Sequence, residues 1–148
     1  MGNNSTEIRG FRGNYEFLSS FYPCKIRYMG LLFQSVEAAF QAAKCADRSQ
    51  SILFQYYSAA EAKRMGKRVK LRPDWEQVKV PIMFELIKQK FSQDLDLKTA
   101  LLATGDALLV EENTWHDNFY GDCVCSKCKT IHGENMLGRL LMETRMQL

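Results

Sequence analysis

The sequence predicts an α+β fold, mostly helical with a few short strands, as one domain over residues 1–148. Three observations predict it. Apolar residues recur at helical spacing in several segments, some of them opened by capping residues. Strand signals are confined to a short hairpin and one apolar run. No Pro/Ser-rich linker, low-complexity tract or fixed-period repeat divides the chain.

Gly10 to Asn14 reads as an opening loop. Lys25-Ile26-Arg27-Tyr28 and Leu31-Leu32-Phe33 flank Met29-Gly30 and read as a hairpin. Ser35 caps a helix reaching Lys44, in which Val36, Ala39, Phe40 and Ala43 form the apolar stripe. Ser49 to Tyr57 is a second, short helix. Ser58-Ala59-Ala60-Glu61 is a capping box whose helix ends near Gly66, and Asp74-Trp75-Glu76-Gln77 starts another helix by the same device. Pro81 predicts a kink or a fresh start, followed by a core stripe of Met83, Leu86, Ile87 and Phe91. Leu95 to Ala103 is helical and stops at Gly105. Ala107 to Glu111 reads as a buried strand. Asn113 to Gly133 is irregular, and so long a loop usually signals function or metal. A last helix, Asn135 to Met146, turns Leu137, Leu140 and Leu141 inward, with Arg145 as the exception on that side.

Net charge is +3 and the pI about 8.6, mildly basic and far from a polybasic arm. The charge is uneven: Lys63, Arg64, Lys67, Arg68, Lys70 and Arg72 crowd ten positions. Such density suits a phosphate-bearing ligand or nucleic acid, or simply a solvated face. No apolar run approaches the ~20 residues of a membrane span, and no secretory signal is expected. Met1-Gly2-Asn3-Asn4-Ser5-Thr6 fits a short, common acylation pattern. Five cysteines, an odd number, do not resemble a secreted disulfide framework, so a reducing, cytoplasmic setting is expected.

Four features stand apart from the core. Glu37, Gln41 and Lys44 fall at i, i+4 and i+7, along one helix face. That face is either solvated, as amphipathic helices commonly are, or turned into a cleft. Trp75 opens a helix just after the basic run, as a core anchor or as a surface on which a base stacks. Asp117-Asn118-Phe119-Tyr120-Gly121-Asp122 mixes carboxylates with aromatics, although Asp117 alone can serve to cap a turn. Cys123, Cys125, Cys128 and His132 could supply four ligands to a tetrahedral zinc, with packed or redox-active thiols the other reading. The common nucleotide-loop and metalloprotease motifs are absent.

In their order these residues resemble the NADAR family of YbiA-like domains over nearly the whole chain. The matching segments include Phe11-Arg12-Gly13, Phe17 through Phe21, Ser35-Val36-Glu37, Phe40 through Lys44 and Leu71 through Trp75. Later ones are Lys90-Phe91, Leu101 through Gly105, Val110-Glu111, Asp117 through Gly121, and Gly133 through Met142. The resemblance implies an N-glycosidase acting on ribosylated nitrogen compounds. Its substrates would be ribosylaminopyrimidine intermediates of riboflavin synthesis or ADP-ribosylated guanine in nucleic acid or nucleotide. It implies catalytic roles for Glu37, Asp117 and Trp75, and substrate contacts from Arg12, Phe21, Gln41, Lys44 and Tyr120. Three positions depart from the family: Ala38 stands for a His, Tyr120 for a Trp, and Ser20 for the Asn of Leu-Ser-Asn-Phe.

The chemistry is consistent with that transfer. Breaking an N-glycosidic bond builds positive charge on the sugar, which an aimed carboxylate stabilises while a second activates water. Glu37 and Asp117, expected to meet across one pocket with Trp75 on its wall, are those carboxylates. Lys44 would bind phosphate or hydroxyls, or attack an opened ribose as an amine. The reaction requires no cofactor, and nothing points to a membrane or a protein partner. A non-catalytic ADP-ribose or nucleotide reader is the alternative, but two carboxylates would repel its anionic ligand. A zinc-stabilised nucleic-acid-binding domain is the third reading.

Overall fold

A computed structural model describes residues 6–148; Gly2 and its acylation pattern's start lie outside the described residues. The fold class is α+β, with helices dominant and every strand two or three residues long. In chain order the elements are β1 (Glu7–Arg9), β2 (Ile26–Tyr28), β3 (Leu31–Phe33), α1 (Val36–Ala43) and α2 (Arg48–Ser51). Then come α3 (Ala59–Met65), α4 (Trp75–Gln93), α5 (Leu95–Ala103), β4 (Leu108–Val110), β5 (Glu112–Asn113), β6 (Asp122–Cys123) and α6 (Met136–Gln147). The chain folds into two compact units, one of residues 20–94 and one of residues 6–19 with 95–148.

In the 20–94 unit, β2 and β3 pair antiparallel, joined by Met29 and Gly30, both at positive φ (55° and 75°). That is the two-residue geometry matching the strands' twist. α1 is the central helix, packed against α3 and α4. Ser35 starts it by accepting the Ala38 N–H at 3.0 Å, and Ser58 and Glu61 complete the capping box of α3. The segment expected as one helix from Ser49 to Tyr57 is α2 followed by a 3-10 helix, Ile52–Tyr56. α4 runs continuously through Pro81, so of the kink or fresh start expected there the fresh start is not taken. Pro81 and Gln77, whose carbonyl loses its in-helix partner, both lie on the exposed side, where water can satisfy the carbonyl. Met83, Leu86, Ile87 and Phe91 are buried as expected, and Lys90 joins them at 1% exposure.

In the other unit, β1 pairs parallel with β4. Three residues, Glu7-Ile8-Arg9, were too few to show alternation in the sequence. α6 packs on β4, and Gly138 allows the approach, since a Cβ there would meet the Leu109 carbonyl at 2.0 Å. Asn135, in the left-handed region at φ 51°, fastens the end of β4. Its Nδ2 donates to Leu109 O (2.8 Å) and its Oδ1 accepts from Glu111 N–H (2.9 Å). Arg145 donates to Thr104 Oγ1 and Ala107 O, which explains its inward position. Within the long irregular segment β5 and β6 form a short parallel pair. Among the described residues no helix is long and apolar enough to cross a membrane.

Candidate active site

Every residue of α1 is buried, including its polar ones. The solvated-face reading therefore fails, because helices pack on α1 from more than one side and its alanines let them come close. Glu37 and Gln41 are each only 8% exposed. Gln41 Nε2 donates to Glu37 Oε2 at 2.6 Å, the i to i+4 pairing that the sequence spacing set up. Ser20 Oγ donates to Glu37 Oε1 at 3.1 Å, while the Ser20 carbonyl accepts the Glu37 N–H at 3.0 Å. Ser20 thus holds both ends of Glu37.

Burial raises the Glu37 carboxyl above the ordinary carboxylate range. The hydrogen bonds from Gln41 and Ser20, and the charges of Lys63 and Lys44, oppose this without cancelling it. A carboxylate of this kind, desolvated yet furnished with donors and nearby cations, is typical of functional sites. Lys44 is half-buried at the end of α1 and its ammonium is pulled down, first by burial and partly restored by Glu37. Lys63, on α3, also lies over the exposed Phe21 ring, 5.7 Å from its centroid.

Gln41 Oε1 is buried and has no hydrogen-bond partner. Such an acceptor is costly to leave unmet, by about 1–3 kcal/mol, unless a ligand donates to it. The packing around that oxygen depends on Gly66. Its φ is −61°, so no left-handed turn requires glycine. A Cβ at that position would instead strike Gln41 Oε1 at 1.9 Å and approach Lys44 Cε at 3.2 Å. Gly66 ends α3 as expected, and a side chain there would collide with Gln41.

Trp75 is 7% exposed and packs its ring on Phe40 of α1, with centroids 5.0 Å apart. It anchors the start of α4 to the helix that carries Glu37. The basic run divides in the same region. Arg72 is committed, giving Nε and Nη2 to the Asp74 carboxylate (2.6 and 3.1 Å) and Nη1 to the Ala43 carbonyl (3.4 Å). Lys67 and Arg68 are exposed.

The remaining expected site residues belong to the other unit. Arg12 is exposed and faces Glu112 at 3.6 Å. Asp117 Oδ1 accepts the N–H groups of Phe119 and Tyr120, at 3.0 and 2.9 Å. The carbonyls of those two residues accept the N–H groups of Met136 and Leu137 at the start of α6. Asp117 therefore shapes a turn that supplies acceptors to otherwise unpaired helical donors. Tyr120 is half-buried and stands edge-on to Phe119.

The structure thus brings together Glu37, Gln41, Lys44 and Phe21, adds Ser20 and Lys63, and sets Trp75 behind them. Sequence reasoning missed the last two roles. Ser20 was visible only as a departure from the family's Asn, and Lys63 was one cation among six.

The cysteine cluster also differs from expectation. His132 is exposed and outside the group; His116 joins Cys123, Cys125 and Cys128 instead. Two side-chain clamps account for it. Asn113 Oδ1 accepts the N–H groups of Trp115 and Asp117, folding His116 back, while Asp122 Oδ1 holds Gly133 N–H just after His132.

The chain belongs to the NADAR domain family, whose model matches residues 9–148. It is 38% identical over 138 residues to N-glycosidase YbiA of Escherichia coli, covering 91% of this chain and 82% of that one. An N-glycosidase of Nostoc punctiforme is 35% identical over 140 residues, at 90% and 86% coverage. A riboflavin biosynthesis protein of Vibrio vulnificus is 38% identical over 138 residues, and the chain spans only 36% of that longer protein. The NMR structure of Escherichia coli YbiA is similar at a TM-score of 0.81 and 35% identity, covering 97% of this chain and 84% of the other.

Proposed function

We propose that this chain hydrolyses the bond between a ribose anomeric carbon and a nitrogen, with Glu37 set against the cation that forms. Family membership and relatives named N-glycosidases make the chain a hydrolase of N-glycosyl compounds. The observation that supports the role of Glu37 is its burial, with Gln41 and Ser20 holding the carboxylate beside an unmet acceptor, Gln41 Oε1.

In the reaction the carbon–nitrogen bond breaks and its electron pair leaves with the nitrogen. Water then gives its hydroxyl to the anomeric carbon and its proton to the departing nitrogen. The ionised Glu37 opposes the charge on the sugar ring, and low local polarity strengthens that attraction. Gln41 Oε1 accepts from a ribose hydroxyl. Lys44 and Lys63 favour the ionised form of Glu37 and attract an anionic substrate, with Lys67 and Arg68 extending the positive surface toward phosphate. Trp75 acts as a positioning residue through Phe40. Asp117 is retained as the second carboxylate on the resemblance alone, with one oxygen fixed by two amides.

The substrate is a ribosylated nitrogen compound bearing phosphate, either a ribosylaminopyrimidine of riboflavin synthesis or an ADP-ribosylated guanine. Relatives named for riboflavin biosynthesis support the first; the basic run suits either. A cytoplasmic setting is part of the proposal, supported by five unpaired cysteines. The test offers both compound classes to the protein and follows release of the base by mass spectrometry. Release from neither, by folded protein, would overturn the reading in favour of a non-catalytic binding domain, for nucleotide or for nucleic acid.

A further inference from the structure

The segment between β5 and α6 contains a group of donors that the reaction does not use. His116 Nδ1 lies 3.4 Å from Cys125 Sγ and 3.4 Å from Cys128 Sγ. Together with Cys123, all four ligand atoms fall within 4.8 Å of one another. A tetrahedral zinc, at ~2.3 Å from sulfur and ~2.0–2.1 Å from nitrogen, places N and S about 3.5 Å apart and two sulfurs about 3.8 Å apart. The two nitrogen–sulfur distances are already those of a mononuclear site, and the remaining pairs, all within 4.8 Å, come within reach of one ion by small side-chain rotations.

The surroundings are arranged for thiolates. Cys123 Sγ accepts the His116 N–H at 3.3 Å. Cys125 Sγ receives the backbone N–H groups of Lys127 and Cys128, within a turn that Cys128 N–H closes on Cys125 O at 3.1 Å. Asn118 touches two ligands, its Oδ1 accepting from Cys123 N–H at 2.9 Å and its side chain hydrogen-bonding Cys128. Outer contacts of this kind orient and tune metal ligands. No disulfide competes, since all five cysteines are free and three clustered thiols cannot pair completely.

We propose that His116, Cys123, Cys125 and Cys128 bind one zinc ion as a closed structural site. Four protein donors leave no position for water or substrate, so the ion holds the fold and takes no part in bond cleavage. It ties together the two ends of the segment 116–128, which contains Asp117 and Tyr120. The inference does not depend on the N-glycosidase reading.

Metal analysis of the full chain, expressed with added zinc and purified under reducing conditions, gives about one zinc per chain. His116→Ala and Cys125→Ser lose it, and His132→Ala keeps it. Cobalt substituted into the unaltered protein shows thiolate-to-metal charge transfer and tetrahedral d–d bands, a readout that needs no variant to fold. Chelation of zinc lowers the melting temperature. Reduced protein that takes up neither metal overturns the proposal. So does loss of zinc from His132→Ala but not from His116→Ala, or removal of zinc with no change in melting temperature.

Discussion

Glu37→Gln separates what the carboxylate does for chemistry from what it does for folding. Glutamine preserves the shape and an acceptor oxygen that can still take the Ser20 O–H, now at 3.1 Å. Its new NH₂ would oppose Gln41 Nε2, the donor now 2.6 Å from Glu37 Oε2. A flip of the Gln41 amide resolves this, turning its partnerless Oε1 toward the new N–H. The replacement is therefore accommodated, at the cost of the Gln41 acceptor proposed for a ribose hydroxyl, a loss that raises KM and is read separately from kcat. Catalysis loses the charge facing the sugar cation, and removal of one such electrostatic partner costs typically 10²–10³ in kcat, or ~2.7–4 kcal/mol. Stability moves the other way. Burial raises the native pKa of Glu37, so between the ordinary carboxylate value and the raised one the native state holds a proton that the unfolded chain has released. Wild-type stability consequently falls as pH climbs through that window, and the glutamine variant escapes the decline. The wild-type pH–rate profile has its acid limb above the ordinary carboxylate range, and the variant loses that limb. Steady-state kinetics on a confirmed substrate and urea melts across pH provide the measurements. Wild-type turnover by folded variant, or destabilisation of about 3–5 kcal/mol as for a broken buried ion pair, would refute the reasoning.

Gly66→Ala discriminates helix propensity from packing: propensity alone favours alanine by ~1 kcal/mol, whereas the collision with Gln41 costs about 1–3 kcal/mol, so urea melts should show net destabilisation along with lost activity. Neutralising exposed Lys67 and Arg68 together should raise KM for a phosphorylated substrate more than for its dephosphorylated analogue, while Arg72→Ala, losing its fork to Asp74, should lower the melting temperature without that discrimination. Burial pulls the Lys90 ammonium down to about 8, below its unfolded value, so wild-type stability should rise from about pH 8 towards ~10.4 as the native penalty for charge is relieved. Lys90→Met should flatten that rise and gain up to about 3 kcal/mol near pH 7, as followed by denaturant melts; a pH-independent loss of stability would show that the ammonium is needed. Glu37→Gln combined with Asp117→Asn, which keeps the Oδ1 acceptor of its turn, should lose much less than the product of the single losses if both carboxylates serve one reaction.

The helices and hairpin were legible because each carries a local signal: a capping serine, a Met-Gly turn, a stripe at helical spacing. What the sequence could not display was the use made of those elements by distant neighbours. Glu37 and Gln41 announced their shared face, but only tertiary packing decided whether that face met water. Gly66 looked like an ordinary helix stop, and its actual reason lies in Gln41, 25 positions earlier. Pro81 signalled a kink or a fresh start, and its position on the exposed side of α4 lets the helix continue without the second. His132 stood at a plausible ligand spacing, yet His116 joins the cysteines because Asn113 folds the chain back beside them. In each case the residue type was informative and the deciding interaction was non-local. Ser20 shows how such interactions can be sought. A departure from a family motif, immediately before an aromatic and preceding a buried carboxylate by 17 residues, proved to be a direct hydrogen-bond donor to that carboxylate. Ser20→Ala should therefore raise the Glu37 pKa further, because its hydrogen bond favours the ionised form. The acid limb of the pH–rate profile would move upward with little change in the plateau. Ser20→Asn, restoring the family's residue, would keep a donor there and hold the limb in place. An unmoved limb in Ser20→Ala would mean that Glu37 ionisation does not govern the rate.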